Sequence, residues 1–400
     1  MDALAILERL VAIPSWRTAE NPAAEAEVSS YLTDVIRHEL PWFHVNHQQV
    51  EGGRYNIFLT DGAPVRILFA VHMDTMPPGT EWKYRITGER VGDRFYGRGA
   101  LDVKGGIAAL LAALVRVGAT EGIGVLLYCD EEYDFHGMRR FLAEERTHPE
   151  IELLVAIEPT MLRVRNGCRG IAEFRPVIRG VSGHSARPSC GKSAIAGFMR
   201  GVDALEKLAR QSVHPTFGRM TCNIAALRCG LSRGRHDGRE LIDELASVIP
   251  DYAEGIVEIR TPPGIHIEEC VAAFNRGVRE VGCRTASIAT RFGLQSYHTA
   301  LESLELFTDA VRAVCNHVPL DDLSATGYCD VQLLASRFDA PCVQFGPSGG
   351  QVHAADEYVE IESITTLQAI LERVAKTHRR GGAGETAVGS QKVADAVKIG

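Results

Sequence analysis

The chain has 400 residues, 45% apolar and 24% charged, an ordinary balance for a folded soluble protein. At roughly 100–200 residues per domain, this length predicts two or three domains. A net charge of −8, from 43 Lys and Arg against 51 Asp and Glu, speaks against nucleic acid as the main partner, because neutralising phosphates needs a basic surface. No apolar run approaches the ~20 residues of a membrane span, and residues 1–8 lack the basic and long apolar stretches of a signal peptide. The ten cysteines are scattered without a Cys-x-x-Cys pair, so free thiols and a reducing, cytoplasmic setting are expected.

In chain order, the pattern predicts helices at 24–39 and 104–117, with short apolar strands at 67–71, 123–129 and 153–157. Such strands between helices indicate a buried sheet covered by helices. From Cys168 the texture changes to alternation at 170–178, a helix near 192–210, and further alternating stretches near 219–228 and 255–260. The Arg- and Gly-rich segment 230–238 between them is expected to be an exposed loop. After about 290 the first texture returns, with a helix at 299–316, a strand at 341–345 and a last helix at 363–377. The expected organisation is an α/β catalytic domain at 1–169 and 289–379, built on a mixed sheet covered by helices. An inserted α+β unit at 170–288 and a disordered tail at 380–400 complete it.

Four apolar strands lead into metal-binding residue types: His72 and Asp74, the acidic run Asp130-Glu131-Glu132, Glu158, and His353 beyond Gly346-Pro347. Sites in open α/β sheets form outside the carboxyl ends of the strands. Asp102, after the glycine turn at 97–99, is placed at the same rim. Two imidazoles and three carboxylates suit two divalent cations, with zinc, cobalt or manganese favoured over soft-ligand metals. A carboxylate can bridge two ions, and ions roughly 3.5–4 Å apart can share a hydroxide and polarise a carbonyl. Of Glu131 and Glu132, one can bind metal while the other stays free as a base. Asp74 suits fixing an imidazole tautomer.

These residues, together with the spans 97–106, Gly180-Val181-Ser182-Gly183-His184-Ser185-Ala186 and Asp356-Glu357-Tyr358, resemble the M20 metallopeptidases. That family includes acetylornithine deacetylase, succinyl-diaminopimelate desuccinylase, aminoacylase and carboxypeptidase G2 type enzymes. The resemblance implies one ion on His72, Asp102 and Glu158 and a second on Asp102, Glu132 and His353, with Asp102 bridging. It implies Glu131 as general base, Asp74 as the group orienting His72, and a cis Asp102-Val103 bond. The inserted unit would be a lid that also carries a homodimer contact, from which His184 reaches a partner's site to stabilise the oxyanion. Arg260 would grip a substrate carboxylate. The family's Asn position is Ser247 here, with Asn223 as a candidate substitute, and the connection from Arg228 to Ser247 is longer than usual. The implied activity is hydrolysis of the amide bond in a small N-acyl amino acid by a metal-bridging water. A dipeptidase or carboxypeptidase with the same centre, and a retired binding protein, are the alternatives.

Two other motifs compete. Gly346-Pro347-Ser348-Gly349-Gly350 formally matches a nucleophile elbow, but no helical pattern follows it. Gly191-Lys192-Ser193 resembles the end of a P-loop, yet Ala186 stands where the first glycine is required. Gly97-x-Gly99 lacks the third glycine of a dinucleotide fingerprint and follows no clear strand.

Overall fold

The computed structural model describes residues 2–144 and 151–381. Six strands form the central mixed sheet, in the spatial order His44–Gln49, Tyr55–Thr60, Ile123–Tyr128, Ile67–His72, Leu153–Ala156 and Cys342–Gln344. The last four run parallel and the first two antiparallel. Period-two alternation sorts the side chains of the inner strands. Ile67, Phe69, Val71, Val125, Leu127, Val155 and Val343 pack on one face, under helices Ala3–Ala12, Glu25–Glu39, Gly105–Val117, Glu305–Cys315 and Ile361–Gly381. Leu68, Ala70, Leu126, Tyr128, Leu154 and Cys342 pack on the other, under His136–Glu144 and Val331–Phe338. Burial on both faces explains why these strands read as continuous apolar runs. It also explains Gly105–Val117, almost wholly buried between sheet and outer helices.

The inserted unit is an antiparallel sheet in the order Arg239–Asp243, Thr221–His236, Tyr252–Thr261, Gly170–Arg179, Arg284–Leu294. Its last strand continues past residue 288. Helices Ala194–Gln211 and Ile267–Glu280 cover one face, where Phe198 and Phe274 meet edge to face and pack with Phe174, Val257 and Ile259. The other face carries Glu173 opposite Glu258, and Arg260 opposite Ile171. Chain exit and return are tied by a short ladder, Gly167–Cys168 against Tyr297–His298. Phe135, Ile171 and Leu294 form a small apolar contact between lid and sheet.

Segment 230–238 is not a loop. Thr221–His236 runs through it, with a register shift between Ser232 and Arg235, and pairs with Arg239–Asp243 around a turn at Asp237-Gly238, both at positive φ. Asp-Gly is a strong hairpin signal, and Arg179, Ser232 and Glu240 pair across the ribbon to stabilise it. The long connection from Arg228 to Ser247 is therefore mostly strand. Residues 301–304 open the helix expected at 299–316 as a 3-10 turn. The last helix reaches Gly381, two residues into the expected tail, because nothing before Gly381-Gly382 breaks it; residues 382–400 lie outside the described ones. A short strand, Arg94–Tyr96, does precede Gly97, paired with Tyr358–Glu360. Ser348 leads into Gly349–Gly350, an edge strand rather than a helix, and Ser193 merely caps helix Ala194–Gln211.

Gly346 sits where strand Cys342–Gln344 leaves the sheet, and a Cβ there would stand 2.2 Å from the Glu158 carbonyl oxygen. Gly346→Ala is expected to destabilise the protein by about 1–3 kcal/mol through this overpacking. Urea unfolding midpoints of the two proteins check it.

Candidate metal centre

The carboxyl ends of the central strands place His72, the 130–132 turn and Glu158 side by side. His72 is 1% exposed. Its Nδ1 lies 3.0 Å from the Asp74 backbone oxygen and its Nε2 3.1 Å from Asp102 Oδ1. Donating Nδ1–H to a carbonyl leaves the Nε2 lone pair for a ligand. The Asp74 carboxylate, 3.5 Å from Nδ1, accepts the backbone N–H groups of Glu131 (3.1 Å) and Glu132 (3.0 Å). Asp74 thus holds the imidazole mainly through its main chain and the acidic pair through its side chain. Asp130, at positive φ, anchors the same turn: Arg17 and Arg54 each approach its Oδ1 at 2.7 Å.

Asp102 is presented by an irregular turn, Ala100–Lys104, whose backbone is non-helical at Asp102 and Val103, and the bond to Val103 is cis. Gly99 at φ +79° opens this turn, and a Cβ there would lie 2.5 Å from Thr75 Cγ2. The buried Glu357 carboxylate accepts the N–H groups of Gly99 (3.1 Å), Leu101 (3.0 Å) and Asp102 (3.0 Å), and pairs with Arg98 at 2.5 Å. Arg98 also donates to the Ala354 carbonyl at 3.0 Å. One buried ion pair therefore clasps the Asp102 turn to the His353 loop. That loop holds Gln351, His353 and Asp356 in the left-handed region, each at φ +60°. Non-glycine residues rarely persist there without support. Asp356 supplies some by accepting the Lys83 and Tyr84 N–H groups.

His353 Nε2 lies 3.3 Å from Asp102 Oδ2 and 3.1 Å from Glu132 Oε1. Each oxygen of Asp102 thus faces one imidazole. His72, Asp102 and Glu158 offer ligand atoms within 4.8 Å of one another, as do Asp102, Glu132 and His353. Glu131 belongs to neither group. The donor chemistry fits a pair of divalent ions, because the carboxylates outnumber the imidazoles and are buried. Burial lifts Glu158 to about 7 against the pull of His72, and lifts Asp330 to about 8 against its hydrogen bond from Tyr128. Burial also pushes Glu131 well above the usual range, opposed by His72 and reinforced by Asp330 and Glu158. For Asp102, burial is outweighed by hydrogen bonds from His353 and His72, which hold it well below that range.

The lid residues are placed differently. Arg260 Nε donates to Glu258 at 2.9 Å, and its guanidinium lies 5.0 Å from the Tyr328 ring centroid. Burial, with the charge of Glu131 adding to it, pushes the Tyr328 hydroxyl up to about 12, so this ring links Arg260 to the acidic cluster. Asn223 is exposed and pairs with Glu258 in the strand register, two residues from Thr221, which faces Arg260. His184 is exposed on the short strand Gly183–His184, and its Nδ1 accepts the Ala186 N–H at 3.1 Å. None of its described contacts is with the cluster. The sequence reading missed Arg169, Tyr328, Cys329 and Asp330. Arg169 is 7% exposed, and its described partners are neutral: the carbonyls of Arg219, Arg260 and Ser324 and the Thr221 hydroxyl. No signal flagged it, because an Arg beside a glycine reads as a surface turn.

Residues 68–377 match Peptidase family M20/M25/M40. The chain belongs to this family. The M20 chain is 30% identical over 378 residues to an N-acetyl-L-citrulline deacetylase of Xanthomonas campestris, covering 92% of this chain and 96% of that one. It is 26% identical over 296 residues to a probable carboxypeptidase of Aspergillus clavatus, covering 68% of this chain but only 62% of the relative. Its fold is similar to that of the aminopeptidase PepT from Bacillus cereus, with a TM-score of 0.71 and 20% identity over 93% of this chain and 98% of that one. This M20 protein is a metallo-hydrolase by family, and among its described residues no helix is long and apolar enough to cross a membrane.

The pKa directions set the pH dependence of the metal-free M20 protein. Glu158, lifted to about 7, holds its proton more tightly folded than unfolded, so stability falls as pH rises from about 4.5 to 7. His353, lifted to about 10 by its hydrogen bonds to Asp102 and Glu132, contributes stability that is full below about 6.5 and lost as pH rises through 10. Asp102, held low, contributes fully across this window. Urea midpoints in chelator are therefore expected to fall with rising pH, while the stabilisation gained on adding zinc or cobalt grows, because the ions displace these protons.

Proposed function

We propose that this M20 protein hydrolyses the amide bond of a small N-acyl amino acid, using two divalent ions, zinc foremost. The ions are assigned to His72, Asp102 and Glu158 and to Asp102, Glu132 and His353. The observation that carries this reading is Asp102, whose two oxygens each face one imidazole, with the half-buried Glu131 outside both groups. When bound, the ions polarise the amide carbonyl and lower the pKa of the attacking water. Glu131 takes the proton of that water. Its buried setting favours the protonated form, which suits handing the proton to the leaving amine. Arg260, and Arg169 whose partners among the described residues are neutral, favour a carboxylate on the amino-acid half, and Asn223 lies on the same sheet as Arg260. His184 is assigned to the oxyanion in a partner subunit's site.

The 30% identity to the deacetylase relative, with 96% of it covered, against 25–26% to carboxypeptidase relatives covered to 62% and 80%, supports a deacylase. The second reading is a dipeptidase or carboxypeptidase, favoured by those carboxypeptidase relatives. Amine release from matched N-acetyl, N-succinyl and N-aminoacyl amino acids, with added zinc or cobalt, separates the two. Release from the simple acyl set, abolished by chelation, is expected; release from the aminoacyl set alone would establish the peptidase. Glu131→Gln is expected to keep its metal content and lose about 10²–10⁴-fold in kcat. Metal analysis and initial rates check both halves of that statement.

A homodimer through the lid, in a cytoplasmic setting, completes the proposal. From Thr221 to Gly230 the long lid strand has no strand on its outer side among the described residues, and Ile224 and Leu227 on it are each 39% exposed. An open apolar edge is a template for a second chain. Light scattering should give twice the chain mass for the wild type, and Ile224→Lys with Leu227→Lys should shift it toward the monomer while lowering activity through loss of the partner's His184.

A further inference from the structure

One ligating atom at the centre has no part in the assignments above: the Sγ of Cys329. Cys329 is 3% exposed, and its Sγ lies 3.0 Å from Glu158 Oε1. It groups with Glu131 and Glu158 within 4.8 Å, but not with His72 or Asp102. The thiol therefore stands behind Glu158 rather than beside the imidazoles. Toward the ionised carboxylate of a metal ligand a thiol can only donate, since that carboxylate offers acceptors alone.

The turn that carries Cys329 is fixed on three sides. The Cys329 N–H donates to Gln332 Oε1 at 3.1 Å. Gln332 Nε2 in turn donates to the carbonyls of Arg169 (3.2 Å) and Gln295 (2.6 Å). Those two carbonyls lie on the chain segments that leave for the lid and return from it. On the far side, the Tyr128 hydroxyl donates to Asp330 at 2.8 Å. The main chain that carries the thiol is thus held by the Gln332 amide, which leaves the Sγ only rotation about the Cα–Cβ bond in meeting the carboxylate.

We propose that Cys329 is a positioning residue. Its S–H donates to one oxygen of Glu158 and so turns the other toward the ion shared with His72 and Asp102. The proposal rests on the reading of Glu158 as a metal ligand. Groups that hydrogen-bond a ligating carboxylate typically change metal affinity by about 10–100-fold.

The test titrates metal-free wild type, Cys329→Ser, Cys329→Ala and Cys329→Val with Zn²⁺ against a chromogenic chelator, and records absorption spectra of the Co²⁺ forms. The valine variant fills the space without a donor, should the alanine variant not fold. Expected are two ions per wild-type chain and a loss of about 10–100-fold at one of the two sites in the alanine and valine variants. The serine variant, which keeps a donor, should stay within a few-fold of wild type, and no spectrum should show sulfur-to-cobalt charge transfer. Equal affinities in all four proteins would overturn the proposal. So would a charge-transfer band in wild type that the serine variant loses, since that makes the sulfur a direct ligand. Uptake of no metal by wild type would instead overturn the metal reading on which the proposal rests.

Discussion

Asp74, Asp102, Glu131, Glu132, Glu158 and Asp330 are crowded at one end of a dry sheet, and two imidazoles cannot balance them. Taking carboxylates out of water is costly unless each finds a partner, and here the partners run out. Every feature around the cluster follows from that imbalance. The carboxylates that have donors stay ionised, as Asp102 does between His72 and His353. Those without enough donors are pushed toward the protonated form, as Glu131 and Glu158 are. Divalent cations answer this arrangement well, since each brings two charges, whereas the Arg165 charge felt at Glu158 does not bring that carboxyl back to its ordinary range.

The scaffold then keeps these side chains from drifting apart. His72 and Glu158 are held by adjacent parallel strands whose side chains fill both faces of the sheet. Asp102 and His353 come from irregular segments and need another restraint. The Arg98–Glu357 pair supplies it, tying three N–H groups of the Asp102 turn and a carbonyl of the His353 loop into one buried clasp. Asp130 does the same for the acidic turn through Arg17 and Arg54. Buried pairs of this kind contribute little net stability, but removing one partner leaves a charge stranded, which makes them stringent about geometry.

The lid couples to this centre through few contacts. Tyr328 stands between Arg260 and the acidic turn, and Gln332 ties both crossing segments to the turn that holds Cys329. Changes in lid position would therefore be felt first at Tyr328 and at Glu158.

By itself, the sequence determined the class of chemistry and the main elements. Apolar runs ending in His72, Glu131, Glu132 and Glu158 are legible because strand period and ligand type are local properties. The helices at 25–39 and 105–117 were equally legible, because an apolar stripe needs no knowledge of what covers it. The segment 230–238 misled because glycine and arginine suggest a loop, whereas its Arg233 and Arg235 find Asp243 and Glu240 across a ribbon. Tertiary structure alone decided the rest: that Asp102 faces both imidazoles, that Glu357 clasps its turn, that the buried Arg169 meets carbonyls and a hydroxyl among the described residues, and that Cys329 abuts Glu158. Each of these joins residues distant in the chain, and no local pattern of residue types encodes which buried groups will meet.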